Sequence, residues 1–202
     1  MDISFGSGRQ TAGFTMVELA LVLVIMGIVG TLFYGVITGM IGKDKSDRAE
    51  LALDSAREGI TGYAVKNGYL PDYDPGEKLI LPERFPQEDA WGRELIYVLA
   101  DNLGGAASIT SRKDTSLAIE IFDDAASFPS GAPARSIADI AFTLVSTGPN
   151  QSVQVVLEGD PPVAVKILRP GGPLNDGSGL EFDDLVEFVS LNELKAKITA
   201  VR

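Results

Sequence analysis

The chain has 202 residues, of which 45% are apolar, enough for one sizeable core or for a core and an anchor. Its formal net charge of −11 at pH 7 argues against a sequence-independent nucleic-acid binder, because such proteins need a Lys/Arg surface to displace counterions from phosphates. The absence of cysteine and histidine excludes thiol nucleophiles, Ser-His-Asp triads and Cys/His zinc sites.

The apolar residues are concentrated near the N terminus. Residues 1–13 are small and polar, and an apolar run then extends from Phe14 to Gly42 with Glu18 as its only charge. About 20 such residues span a bilayer as a helix, so residues 14–42 predict a membrane segment. Gly35 and Gly39 have the spacing of a helix-helix contact face, although glycines are also common in spanning helices.

Glu18 is an acidic side chain near the start of a spanning helix, and two interpretations are open. In the first, it lies at headgroup depth and reaches the aqueous interface. In the second, its carboxylate forms an ion pair with a cation from another chain. If the chain is cut after Gly13, the free α-amine of Phe14 supplies that cation, and pairing with Glu18 of a neighbour fixes the register of assembly.

The segment Gly13-Phe14-Thr15-Met16-Val17-Glu18-Leu19, followed by the apolar run, resembles the prepilin cleavage and methylation signature of type IV pilins and of type II secretion pseudopilins. The resemblance implies that residues 1–13 are a leader removed between Gly13 and Phe14 by a membrane prepilin peptidase. It also implies N-methylation of Phe14 and helical polymerisation through the apolar segment. The leader is less basic than is usual in the family, and Gly35 stands where many relatives have proline.

Residues 43–67 predict an amphipathic helix that continues the membrane segment. Apolar residues recur at steps of three and four and form one stripe: Ala49, Ala52, Leu53, Ala56, Ile60, Tyr63 and Ala64. No proline interrupts the chain from Phe14 to Lys66, so the sequence predicts one helix of about 50 residues that ends at Asn67-Gly68.

Residues 68–202 predict a globular β head with a short C-terminal helix, and therefore an α+β fold. Six short apolar runs, separated by Gly/Pro-rich turns, predict a small antiparallel sheet: Leu95–Leu99, Leu117–Phe122, Ile140–Ser146, Val153–Leu157, Val163–Leu168 and Leu185–Ser190. Ser190 and Glu193 form a capping box that starts the final helix.

Trp91 is the only tryptophan, and its segment Asp89-Ala90-Trp91-Gly92 resembles an Asp-x-Trp-Gly segment of major pseudopilins. We interpret Trp91 as a packed core anchor, with stacking on a ligand as the alternative.

A Gly-rich acidic loop near the C terminus is the one candidate metal site. Its oxygen-bearing side chains suit calcium: Asn175, Asp176, Ser178, Glu181, Asp183 and Asp184. The loop lies roughly where major pseudopilins have a calcium loop, but here a long insertion separates it from Gly148. The alternative is a solvated acidic turn in which Asp183 or Asp184 caps local structure.

The combined features predict a structural filament subunit rather than an enzyme, with calcium as the one candidate cofactor. The family resemblance implies a single-pass inner-membrane protein with its head in the periplasm, later part of a periplasmic or cell-surface filament. The implied partners are copies of itself, other pilins or pseudopilins, the prepilin peptidase and an inner-membrane assembly platform. A pseudopilin of a type II secretion-like system is the leading hypothesis, and a major or minor type IV pilin is the second. The third is a membrane-anchored periplasmic binding protein.

Overall fold

The computed structural model describes residues 15–73, 79–105, 108–150, 152–169, 171, 174 and 181–201. Its elements in chain order are α1 (Met16–Asn67), β1 (Ile96–Leu99), β2 (Leu117–Phe122), β3 (Arg135–Ser146), β4 (Val156–Glu158), β5 (Ala164–Leu168), β6 (Leu185–Ser190) and α2 (Leu191–Val201). The predicted α+β class is confirmed. The chain divides into two compact units, with the boundary between Gly42 and Lys43.

Helix α1 forms as one element because no proline interrupts it, as predicted. In the second unit its predicted apolar stripe is buried at Ala49, Leu53, Ala56, Ile60 and Ala64. The helix ends where Gly68 adopts a φ of 82° and its N–H donates to the carbonyl of Ala64 at 2.8 Å. A left-handed glycine at this position is a common helix stop because it has no Cβ to clash.

The sheet has six strands in the order β1-β3-β2-β5-β4, and β6 also pairs with β3. Most pairings are antiparallel, as predicted, but β2 and β5 run parallel from Ala118/Ala164 to Phe122/Leu168. The β4–β5 hairpin is the insertion noted in the sequence. It extends the sheet beyond β2 instead of forming a separate element.

Strand β3 begins at Arg135, five residues before its predicted start at Ile140. Its first half is mostly exposed, so an apolar run could not reveal it. The register against β2 shifts beside Asp139, which has a φ of 58°. The Asp139 carboxylate accepts the Thr115 N–H at 3.1 Å, and this hydrogen bond stabilises the bulge.

The core lies between the α1 stripe, the sheet and α2, which buries Leu191, Leu194 and Ile198. The predicted cap of α2 is present, because the Glu193 N–H donates to the Ser190 hydroxyl at 3.2 Å. Arg57 of α1 lies 3.8 Å from a carboxylate oxygen of Glu187 and 3.9 Å from one of Glu193. This half-buried arginine therefore links α1 to both β6 and α2.

Gly148 follows β3 and provides a test of the packing. It has a φ of 63°, and a Cβ there would lie 2.3 Å from the carbonyl oxygen of Asp183. We expect Gly148→Ala to destabilise the protein by about 3 kcal/mol or more, because left-handed strain adds to a backbone collision. Urea unfolding of the detergent-solubilised chain measures this loss.

Gly68→Ala is the matched control, because Gly68 is also left-handed but has open space around its Cβ position. Gly68→Ala should lower the free energy of unfolding only by the strain of a left-handed alanine, about 1–2 kcal/mol. Equal losses for the two alanine variants would contradict the close contact between Gly148 and Asp183.

Candidate functional site

Residues 16–34, the first part of α1, are apolar and exposed. Met16–Tyr34 is long and apolar enough to cross a membrane by length and composition, and none of it is buried. Leu23 is 62% exposed and Phe33 is 60% exposed. The side chains of residues 35–39, which include Gly35 and Gly39, lie outside the described residues. A surface this apolar requires lipid or other helices around it.

Glu18 lies in the first turn of this helix and caps it. Its backbone N–H donates to the Thr15 hydroxyl at 3.2 Å, and its carboxylate accepts the Thr15 N–H at 3.5 Å. This reciprocal pair is a capping box, which satisfies two of the free N–H groups at a helix start. The Thr-x-x-Glu spacing in the sequence could have revealed it. Gly13 and Phe14, the predicted processing residues, lie outside the described residues.

Three of the six candidate calcium ligands, Asn175, Asp176 and Ser178, also lie outside the described residues. Of the other three, Glu181 has an exposed side chain. Its backbone carbonyl accepts a hydrogen bond from the side-chain amide of Gln154 at 2.9 Å. Within the described ranges, no three His, Cys, Asp or Glu side chains form a group that could hold a metal.

Asp183 and Asp184 instead bind the backbone of the chain that follows β3. One Asp184 oxygen accepts the N–H groups of Gln154 and Val155 at 2.7 and 2.8 Å. One Asp183 oxygen accepts the Asn150 N–H at 3.0 Å. These bonds explain why β4 begins at Val156 and not at the predicted Val153, since the N–H groups of residues 154 and 155 are already occupied.

The remaining carboxylate oxygens of this pair are buried and have no hydrogen-bond partner among the residues that the structure describes. They are Oδ1 of Asp183 and Oδ1 of Asp184. Burial raises the pKa of the Asp184 carboxyl to about 6, and the nearby charge of Asp183 adds to the shift. Burial also raises the pKa of Asp183. Two unpartnered buried oxygens on one segment suit a hard cation, so the donor chemistry fits calcium.

Trp91 is half-buried and does not belong to the buried core, so its interpretation as a core anchor is wrong. The residue that organises its segment is Asp89, the first residue of the Asp-x-Trp-Gly segment, for which the sequence predicted no role of its own. One Asp89 oxygen accepts the N–H groups of Trp91 and Arg93 at 2.9 and 3.0 Å. The other accepts the Ser146 hydroxyl at 2.7 Å, which fixes the turn to the end of β3.

Comparison with known proteins agrees with this N-terminal arrangement. Residues 8–34 match the family model described as the prokaryotic N-terminal methylation motif. The chain is 28% identical over 111 residues to the type II secretion system core protein G of Pectobacterium carotovorum subsp. carotovorum, which covers 45% of this chain and 69% of that protein. No solved structure matches significantly.

The motif and this relative agree with the exposed apolar helix and with the carboxylate in its first turn. The chain therefore carries the prokaryotic N-terminal methylation motif on an exposed apolar helix, and it is similar to a type II secretion system core protein.

Proposed function

We propose that this chain is the prepilin form of a pseudopilin of a type II secretion-like system. In this proposal a prepilin peptidase cuts between Gly13 and Phe14 and Phe14 is N-methylated. The mature subunit then polymerises from an inner-membrane assembly platform, with its head in the periplasm. The observation that carries the proposal is the exposure of the apolar helix Met16–Tyr34, which lies within the methylation motif matched at residues 8–34.

The exposed apolar helix explains why the subunit is stable either as a monomer in the membrane or as part of a filament. Exposing one large apolar side chain to water costs roughly 1.5–3 kcal/mol relative to burying it. Before assembly, lipid covers Met16–Tyr34 as a single membrane span. When the subunit leaves the bilayer, only the corresponding helices of neighbouring subunits can replace the lipid. Extraction and polymerisation are therefore coupled.

Glu18 sets the register of that polymer. Its contact with Thr15 uses hydrogen bonds but does not neutralise its charge. Cleavage would place the α-amine of Phe14 at the positive end of its own helix dipole, where a cation is disfavoured. Pairing with Glu18 of the neighbouring subunit relieves both charges. N-methylation keeps the amine charged, as methylation of a lysine does.

The similarity to a type II secretion system protein favours a pseudopilus over a surface pilus. A major or minor type IV pilin is the alternative within the family. A single-span membrane-anchored periplasmic binding protein would need neither cleavage nor polymerisation. We propose other pilins or pseudopilins as further partners, and we assign the chain no catalytic role.

Glu18 variants test the assembly step. We expect Glu18→Ala and Glu18→Gln to be cleaved and methylated normally, because both leave the Gly13–Phe14 bond unchanged. Both should lower the yield of sheared filaments by about tenfold or more, the equivalent of losing at least ~1.4 kcal/mol of pairing free energy. Immunoblots of sheared filaments and of membranes measure assembly and processing separately.

Glu18→Gln separates pairing from capping, because its amide oxygen can still accept the Thr15 N–H. If Glu18→Gln assembles like the wild type while Glu18→Ala does not, Glu18 acts through the cap. Normal assembly of both variants would contradict any role for Glu18 in polymerisation.

We also propose that Asp183 and Asp184 bind calcium, together with Asn175, Asp176, Ser178 and Glu181. The support is that both aspartates keep a buried oxygen with no hydrogen-bond partner in the described part of the chain. A bound cation would offset the burial that raises the pKa of both groups. Its position would tie the acidic segment to the insertion, since these carboxylates already hold the N–H groups of Asn150, Gln154 and Val155.

Asp184 variants separate calcium binding from backbone support. Asp184→Ala should destabilise the protein by about 3 kcal/mol, because two buried N–H groups lose their acceptor. Asp184→Asn keeps an acceptor and should change the calcium-free stability by less than about 1 kcal/mol. Calcium should raise the melting temperature of the wild type and leave that of Asp184→Asn unchanged. A wild-type melting temperature that responds to neither calcium nor chelator would contradict the proposed site.

A further inference from the structure

The head contains a cavity of about 520 Å³ that the proposed function does not use. One wall is the turn of the β4–β5 hairpin, and the opposite wall comes from the chain on either side of β1. The lining residues include Tyr73, Leu79, Leu99, Leu157, Pro161 and Pro162. The inserted hairpin therefore contributes one side of the cavity.

Three carboxylates line the same cavity: Asp72, Asp101 and Asp160. Apolar walls with several acidic groups suit a cation on an aliphatic stem, such as an arginine or lysine side chain. The stem packs against the leucines and prolines, and the charged head reaches the carboxylates.

The cavity is held in shape by hydrogen bonds within the head. The two oxygens of Asp72 accept the N–H groups of Tyr73 and Gly105 at 3.0 and 3.1 Å. The Tyr73 hydroxyl accepts the Leu99 N–H at 3.0 Å. Burial raises the pKa of Tyr73, and the charges of Asp72 and Asp101 add to that shift. The cavity is therefore preorganised and carries negative charge before any partner binds.

Exposed cationic side chains lie near both ends of the paired strands β2 and β5. Arg112 and Lys113 lie near the cavity, because the carbonyl of Asp114 accepts a hydrogen bond from Asn102, which is next to Asp101. Arg135 lies at the other end, since it pairs with Ile121 near the end of β2, whereas the cavity borders the start of β5. Arg135 is exposed and forms no ion pair with another described residue.

We propose that the cavity of one subunit binds the Arg135 side chain of a second copy in the filament. This inference rests on the proposed function, because it requires identical subunits side by side. A contact between opposite ends of the head is heterologous, so it continues from copy to copy, as a filament needs. It also sets a cation against carboxylates where subunits of net charge −11 would otherwise repel one another.

Charge exchange tests the contact in cells that express the full chain with its prepilin peptidase and assembly platform. Asp101→Arg and Arg135→Asp should each lower sheared filament yield about tenfold, equivalent to ~1.4 kcal/mol of contact free energy. The double variant should restore the yield to within about threefold of the wild type, because the pair is re-formed with its charges exchanged. Glu88→Arg is the matched control, since it makes the same charge change at an exposed position that does not line the cavity.

Cysteine cross-linking gives a second measurement that needs no charge reversal. The chain has no cysteine, so the double variant Asp101→Cys and Arg135→Cys carries the only thiols. Because an arginine–aspartate contact leaves the two Cα atoms further apart than a disulfide can span, a short bismaleimide is the cross-linker. Treated filaments of the double variant should give a ladder of covalent multimers, whereas each single cysteine variant should give none beyond a dimer.

Each outcome decides the proposal. Restored yield and a ladder support the Arg135 contact. If both single charge variants assemble normally and no ladder forms, the contact is overturned while the filament function stands. Restoration of Asp101→Arg by Lys113→Glu instead of Arg135→Asp would overturn Arg135 as the occupant. Failure of the wild type to form any filament, with its N terminus intact in the membrane, would contradict the proposed function and this contact with it.

Discussion

The structure depends on how the N-terminal half of α1 is covered. Met16–Tyr34 is apolar, and none of it is buried among the described residues. Water cannot solvate such a helix at acceptable cost, so it must lie in lipid or against other helices. Glu18 is the one charge in the segment, and under the proposed function its pairing with a neighbouring subunit would turn a general apolar attraction into a defined register.

The second half of α1 buries its apolar residues within the head. Beyond Gly42 the apolar residues become one stripe, from Ala49 to Ala64, which the sheet and α2 cover. Arg57 adds two longer ion contacts to this packing, 3.8 Å to Glu187 and 3.9 Å to Glu193. The β4–β5 hairpin extends the sheet, and its turn lines a cavity that Asp72 and Asp101 also line.

Patterns that depend on local chemistry were predictable from the sequence. Strands β2 and β6 match their apolar runs, and Ser190 starts α2 through a side-chain cap. Features that depend on distant partners were not predictable. The parallel pairing of β2 with β5 joins residues far apart in the chain, and the polar first half of β3 has no apolar signal. The role of Asp89 was not predictable for the same reason. It depends on a hydrogen bond with Ser146, 57 residues away.

The central claim is that removal of the first thirteen residues converts a membrane anchor into a polymerising subunit. The most direct test is the intact mass of the protein purified from native membranes, compared with that from cells lacking the prepilin peptidase. We expect the native form to begin at Phe14 and to carry one methyl group, and the second form to retain the leader. A native chain that still begins at Met1 would contradict the account.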